Sequence, residues 1–187
     1  MDSAKVKTFM ELAGQSLPSK FSAPSESIRK LGSQLLLTEL LEYIIKGLNV
    51  TPVINGVRIT KSEEVSFEAN GEVDLEESLD GLADVAYTMF WNALALGAPL
   101  EEAFELVCEN NLEKFVKLDS SHFKAGLLPA AQWDCERGVV WPSEVETVTA
   151  VQVSAGLFAV GKDGRGKVRK PSTYTPVDLA PLLPRTS

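Results

Sequence analysis

Two pairs of carboxylates stand out by their type and spacing. Asp80 and Asp84 lie four residues apart, one above the other on a helix face, and Glu77 is a further turn back on the same stripe. From Asp84 to Gly97 the chain is apolar on almost every helical face, as in the core of a helix bundle. An ionised carboxylate among apolar neighbours is costly unless a cation or donor compensates it. Upstream, Glu39 and Glu42 are three apart on an equally apolar helix, close enough to grip one ion from a single face. Facing across a bundle, the four carboxylates would offer an all-oxygen environment to hard divalent ions. Magnesium prefers such a site and usually shares it with substrate phosphates. Lys167, Arg169 and Lys170 near the C-terminus can meet the charge of those phosphates. The plainer alternatives stay open at this point: acidic strips that face water, and a basic turn that is simply solvated.

Composition narrows the function classes. The chain has 187 residues, enough for one domain with a proper core, and its 44% hydrophobic and 24% charged content is ordinary for a soluble protein. A net charge of -8 argues against nucleic acid or an anionic membrane surface as partner, since both call for a cationic field. Cys108 and Cys135 are far apart with no metal or disulfide spacing, so a reduced, cytoplasmic setting fits best. Met1 to Gly14 lacks the continuous apolar run of a signal peptide. The apolar run after Asp84 is too short for a membrane span and is broken by Asn92. The single histidine, His122, has no partner spacing for catalysis or zinc and receives no role.

The elements that must position these residues read mostly as helices. Ala4 to Ala13 is a short amphipathic helix ended by Gly14-Gln15, and a Ser/Pro-rich loop follows. Ser25 or Ser27 caps a second helix over Ile28 to Leu48. Asn49 to Ser66 resembles a small β-hairpin turning at Asn55-Gly56. A third helix carries Asp80 and Asp84 and ends at Gly97, with Pro99 beyond it. The fourth helix spans Leu100 to Leu118, with Asn111 on its inward stripe, either as a buried amide satisfied by backbone or as a donor at a site. Asp119 to Thr149 gives little periodicity. Ala150 to Arg169 reads as a second hairpin with its Gly-rich turn at Lys162 to Gly166.

Taken together, these strings resemble a known family. Thr38-Glu39-Leu40-Leu41-Glu42 looks like the EExxE motif of the all-α nucleoside triphosphate pyrophosphohydrolases, the MazG and phosphoribosyl-ATP pyrophosphohydrolase group. Asp84-Val85-Ala86-Tyr87 looks like the end of that family's second motif, ExxD with an apolar pair and Tyr. Asp80 to Asp84 with Gly97, Asn111 to Lys114, Gly166 to Pro171, and Tyr174 to Leu179 are similar to phage-encoded members, as are Phe9 and Gly14-Gln15 at the N-terminus. The likeness covers about residues 4–48, 77–118 and 160–183, leaving insertions at 49–76 and 119–159. It departs from the pattern at Thr38, which replaces the first Glu of EExxE, and at Gly81, which occupies the Glu position of ExxD.

The resemblance implies a mainly α fold: a single domain over 1–187 with a four-helix-bundle core and small β-hairpin insertions. It implies hydrolysis of a ribo- or deoxyribonucleoside triphosphate, a guanine nucleotide among the candidates, to the monophosphate and pyrophosphate. Glu39, Glu42 and Asp84 would be catalytic and, helped by Asp80, would hold Mg²⁺, with Mn²⁺ as the substitute. Gln15, Asn111, Lys114, Lys167, Arg169, Lys170 and Tyr174 would contact substrate. It further implies a homodimer or homotetramer, in the host cytoplasm if phage-encoded. Thr38 and Gly81 keep a rival in view, a nucleotide sensor of the same fold that has lost turnover. A purely structural helical protein is a more distant one.

Overall fold

The computed structural model describes residues 3–184 and divides the chain into two compact units, residues 20–87 and residues 1–19 with 88–187. In chain order the helices are α1 (Ala4–Leu12), α2 (Glu26–Glu42), α3 (Leu75–Leu96) and α4 (Leu100–Leu112). The strands are β1 (Val53–Ile54), β2 (Val57–Arg58), β3 (Val116–Leu118), β4 (Gly126–Leu127), β5 (Val145–Val153) and β6 (Gly156–Asp163). Among the described residues no helix is long and apolar enough to cross a membrane.

The expected four-helix-bundle core is not present. The chain is mixed α/β, with β1 and β2 as a two-stranded ribbon and β3-β6-β5-β4 as an antiparallel four-stranded sheet. Much of the sheet comes from residues 119–159, the stretch that looked like an insertion. Burial follows the pleat: on β6, Leu157 and Ala159 join one cluster while Phe158 and Val160 join another. The first cluster lies under the 119–145 segment, where Phe123, Leu128, Cys135 and Val139 are buried and Trp133 and Trp141 pack alongside. The second contains Leu12 of α1 and Phe115 after α4, with Phe9 set edge-on to Phe115 at 5.1 Å. A sheet covered on both faces is thus the core of this unit.

Several element boundaries shift for the same reason. The helix expected to Leu118 stops at Leu112, because Val116 and Leu118 are buried and Lys117 is exposed, a period of two rather than 3.6. The second hairpin turns at Ser154-Ala155, not at the Gly-rich stretch. That stretch makes a further reversal, which returns Val168 to pair with Lys162. Asp163 organises the reversal by accepting the Arg165 and Lys167 amides at 3.0 and 2.9 Å and the Arg169 guanidinium at 2.8 Å.

Two expectations about stability follow. The Lys167 amide foremost, with the Arg165 amide and Arg169, holds the Asp163 carboxyl below its ordinary value of 3.8. A lowered carboxylate stabilises the fold above the unfolded value, and that contribution is lost as pH falls through the lowered one. Thermal melts between pH 5 and 2 should therefore show an acid-side loss that Asp163→Asn flattens. Separately, a Cβ at Gly161 would run into the Trp141 ring. Gly161→Ala should cost about 1–3 kcal/mol in denaturant melts, as overpacking of a filled core does.

In residues 20–87, Ser25 caps α2 by accepting the Ile28 amide at 3.4 Å. The helix ends at Glu42, continues through a π-turn over Tyr43–Gly47, and packs on the Ser62–Glu64 turn. Asn55 and Gly56, both with positive φ, close the ribbon as expected. The Asp74 carboxylate accepts the Glu76 and Glu77 amides at the start of α3. Leu41 and Ser62 are the buried residues described in this unit, and α3 has none along its length. The apolar faces read as bundle-core are open on this chain: Leu35 is 56% exposed, Leu79 58% and Leu82 63%.

Candidate functional site

Both acidic pairs belong to residues 20–87, Glu39 and Glu42 on α2 and Asp80 and Asp84 on α3. All four are exposed. Each pair shares a helix face, as its spacing requires. The pairs do not converge: α2 and α3 make no extended contact, and no cluster of three or more His, Cys, Asp or Glu able to hold a metal exists among the described residues. The donor set is all carboxylate, which fits Mg²⁺ or Mn²⁺ chemically, but one chain does not assemble it into a single group.

Glu42 forms an ion pair with Lys46 at 3.2 Å, one turn along the helix, both side chains more than half exposed. Such a pair contributes only about 0.3–0.5 kcal/mol, so Glu42 is readily released. At the Thr38 position, the hydroxyl donates to the Gln34 carbonyl at 2.7 Å and is committed to its own helix.

A recess of about 190 Å³ opens beside Glu42. Thr38, Leu41, Glu42, Ile45 and Lys46 form one wall, and Thr60, Lys61, Ser62 and Glu63 the other. The second wall is held by Glu64, whose carboxylate accepts the Thr60 amide at 2.8 Å and the Thr60 hydroxyl at 2.9 Å. Those bonds, the Thr60 amide first, keep the Glu64 carboxyl below its usual range. Thr60, Lys61 and Ser62 were not candidates in the sequence, because a polar triplet after a short hairpin carries no periodic or motif signal.

The amide and basic candidates lie in the other unit, residues 1–19 with 88–187. Asn111 accepts Lys114 Nζ at 2.6 Å, and the same ammonium stands 5.5 Å from the Phe9 ring centroid. Asn111, Phe9, Val6, Lys5 and Cys108 line a mainly apolar recess of about 230 Å³ between α1 and α4. Asn111 is half-buried. Its neighbour Asn110 is the buried amide, accepting the Tyr174 hydroxyl and donating to the Thr175 carbonyl, both at 2.6 Å. Tyr174 is therefore a tie for the C-terminal segment, with Lys170 over its ring at 4.4 Å. Arg169 is engaged by Asp163, Lys167 is exposed, and Gln15 is exposed just past α1. Lys162, not foreseen, donates to the Ala13 carbonyl at 2.7 Å.

His122 bonds Glu136 at 2.8 Å, and that carboxylate raises the imidazole above its ordinary 6.5; both side chains are exposed. Burial pushes the Cys135 thiol up to about 11, which suits an inert core sulfur. Compared with known proteins, the chain matches no family model, no curated protein and no solved structure.

Proposed function

We propose that the protein is a Mg²⁺-dependent nucleoside triphosphate pyrophosphohydrolase that works as a homo-oligomer. The observation that carries the reading is the placement of two carboxylate pairs on exposed faces of α2 and α3, among exposed apolar side chains such as Leu35, Leu40, Leu79 and Leu82. The motif strings around Thr38 to Glu42 and Asp80 to Tyr87 support it. The reading makes no use of the all-α bundle, which this chain does not have.

Residues 20–87 bury a single apolar side chain, Leu41. Ordering a backbone costs about 1–2 kcal/mol per residue, and burial must offset that cost. A second copy that covers α2 and α3 supplies the missing burial. Isologous pairing presents the same helix face from each partner, so it also doubles the carboxylates available at the contact. Glu39, Glu42, Asp80 and Asp84 would hold the ion, which when bound neutralises phosphate charge and activates water. A carboxylate not engaged by the ion is the natural proton acceptor for that water. Arg169 is engaged by Asp163 and shapes its own turn, while Lys167 and Lys170 are exposed beside it.

The second reading is a nucleotide sensor without turnover. It is favoured by the Thr38 hydroxyl, which is spent on Gln34, and by Gly81, which has no side chain to offer. Pyrophosphate release from a panel of eight ribo- and deoxyribonucleoside triphosphates with Mg²⁺ separates the two. Release from one or more substrates supports the enzyme, and none from any of them leaves the sensor.

A further inference from the structure

We propose that the recess beside Glu42 is an anion subsite that receives the pyrophosphate end of a nucleoside triphosphate as its magnesium complex, with Lys46, Lys61 and Ser62 as the phosphate-binding groups. The inference deepens the pyrophosphohydrolase reading and rests on it for the identity of the substrate.

The geometry brings together groups far apart in the chain. Lys46 lies one turn past Glu42 on the helix wall, and Lys61 and Ser62 come from the turn that packs across it. At about 190 Å³ the recess has room for several waters, hence for a phosphate group. Its ionisable lining is balanced, with Glu42 and Glu63 against Lys46 and Lys61, so the empty recess has no strong pull on a bare anion. A divalent cation held by Glu42 would tip that balance to positive and would leave the Lys46 ammonium available to a phosphate oxygen. The opposite wall needs no rearrangement, because Glu64 already fixes Thr60, and with it the placement of Lys61 and Ser62. Metal and anion therefore enter together.

The test is calorimetric titration of the full chain with inorganic pyrophosphate, with and without Mg²⁺, beside Lys61→Ala, Lys61→Met and Lys61→Arg. Lys61 is exposed, so the melting temperature should hold in all three. The expected result is binding that requires Mg²⁺ and weakens about tenfold in the Ala and Met variants, as loss of one charge-assisted contact does, with Arg retaining most of it. In turnover the Ala and Met variants should lower kcat/KM for the triphosphate by at least a similar factor, because the contact is to the departing pyrophosphate. No pyrophosphate binding by the wild type, or equal affinity in folded Lys61→Met, overturns the subsite. Lys61-dependent binding with no hydrolysis of any triphosphate keeps the subsite and removes the enzyme. Hydrolysis with an unchanged kcat/KM in Lys61→Met does the reverse.

Discussion

Asp84→Ala should abolish pyrophosphate release, reducing kcat/KM by more than about a hundredfold while the melting temperature without metal stays within a degree or two. Asp84 is exposed and close to mid-helix, so its removal opens no cavity and unpairs no buried group. The expected loss therefore reports on the ion rather than on the fold. For comparison, removing a residue that merely orients a metal ligand already costs 10–100-fold. The companion measurement is the melting temperature against Mg²⁺ concentration. A ligand that binds only the native state at a hundred times its dissociation constant stabilises by about 2.7 kcal/mol, and Asp84→Ala should lose that increment. If the wild type releases no pyrophosphate yet Mg²⁺ and a nucleotide still raise its melting temperature, the sensor reading takes first place. An unmoved melting temperature in both proteins would leave the acidic pairs as solvated strips and remove both nucleotide readings.

Leu82→Glu should convert the protein from an assembly into single chains that lose helix content. In sedimentation the wild type is expected at a mass of at least two 20.3 kDa chains. Leu82 is 63% exposed on the isolated chain, and in a monomer such a substitution changes stability by no more than about 0.5 kcal/mol. Inside an interface it places a charge where apolar contact is needed, and the cost is several times larger. Leu35→Glu on α2 should act in the same direction, because that face is equally open. The far-ultraviolet helix signal should fall with the mass, since residues 20–87 have almost no core of their own. A wild type that sediments as one chain and melts like Leu82→Glu would remove the proposed oligomer, and with it the means of bringing the two acidic pairs to one ion.

How much of this was legible from residues alone varies with the element. α1, α2 and α3 were, because caps and breakers act locally: Ser25 starts α2, and Gly14 and Gly97 take the positive φ that ends α1 and α3. The Asn55-Gly56 turn was legible for the same reason. The four-stranded sheet was not. Its strand pairs join residues distant in sequence, such as Val116 with Ala159 and Gly126 with Ala150, and its 119–145 cover has no period to detect. The apolar stripe continuing past Leu112 on α4 also fitted a helix until the sheet claimed Val116 and Leu118. Of the candidate site, the spacing within each pair was readable, while the distance between pairs was a matter of packing that the single chain does not supply.

The amino-acid sequence by itself determined the chemistry on offer: carboxylates paired at helical spacing, a net charge of -8 that disfavours nucleic acid, and helices whose ends are written into Ser, Gly and Pro. These are properties of residue type and near neighbours, within a turn or two of backbone. Tertiary structure decided which amide is buried, Asn110 rather than Asn111, and that Tyr174 holds the C-terminal segment rather than standing free. It also decided that Lys61 stands across a recess from Glu42. Those outcomes depend on which surfaces exclude water from each other. Such burial is settled by long-range contacts, chiefly the two-faced sheet, and not by any local pattern.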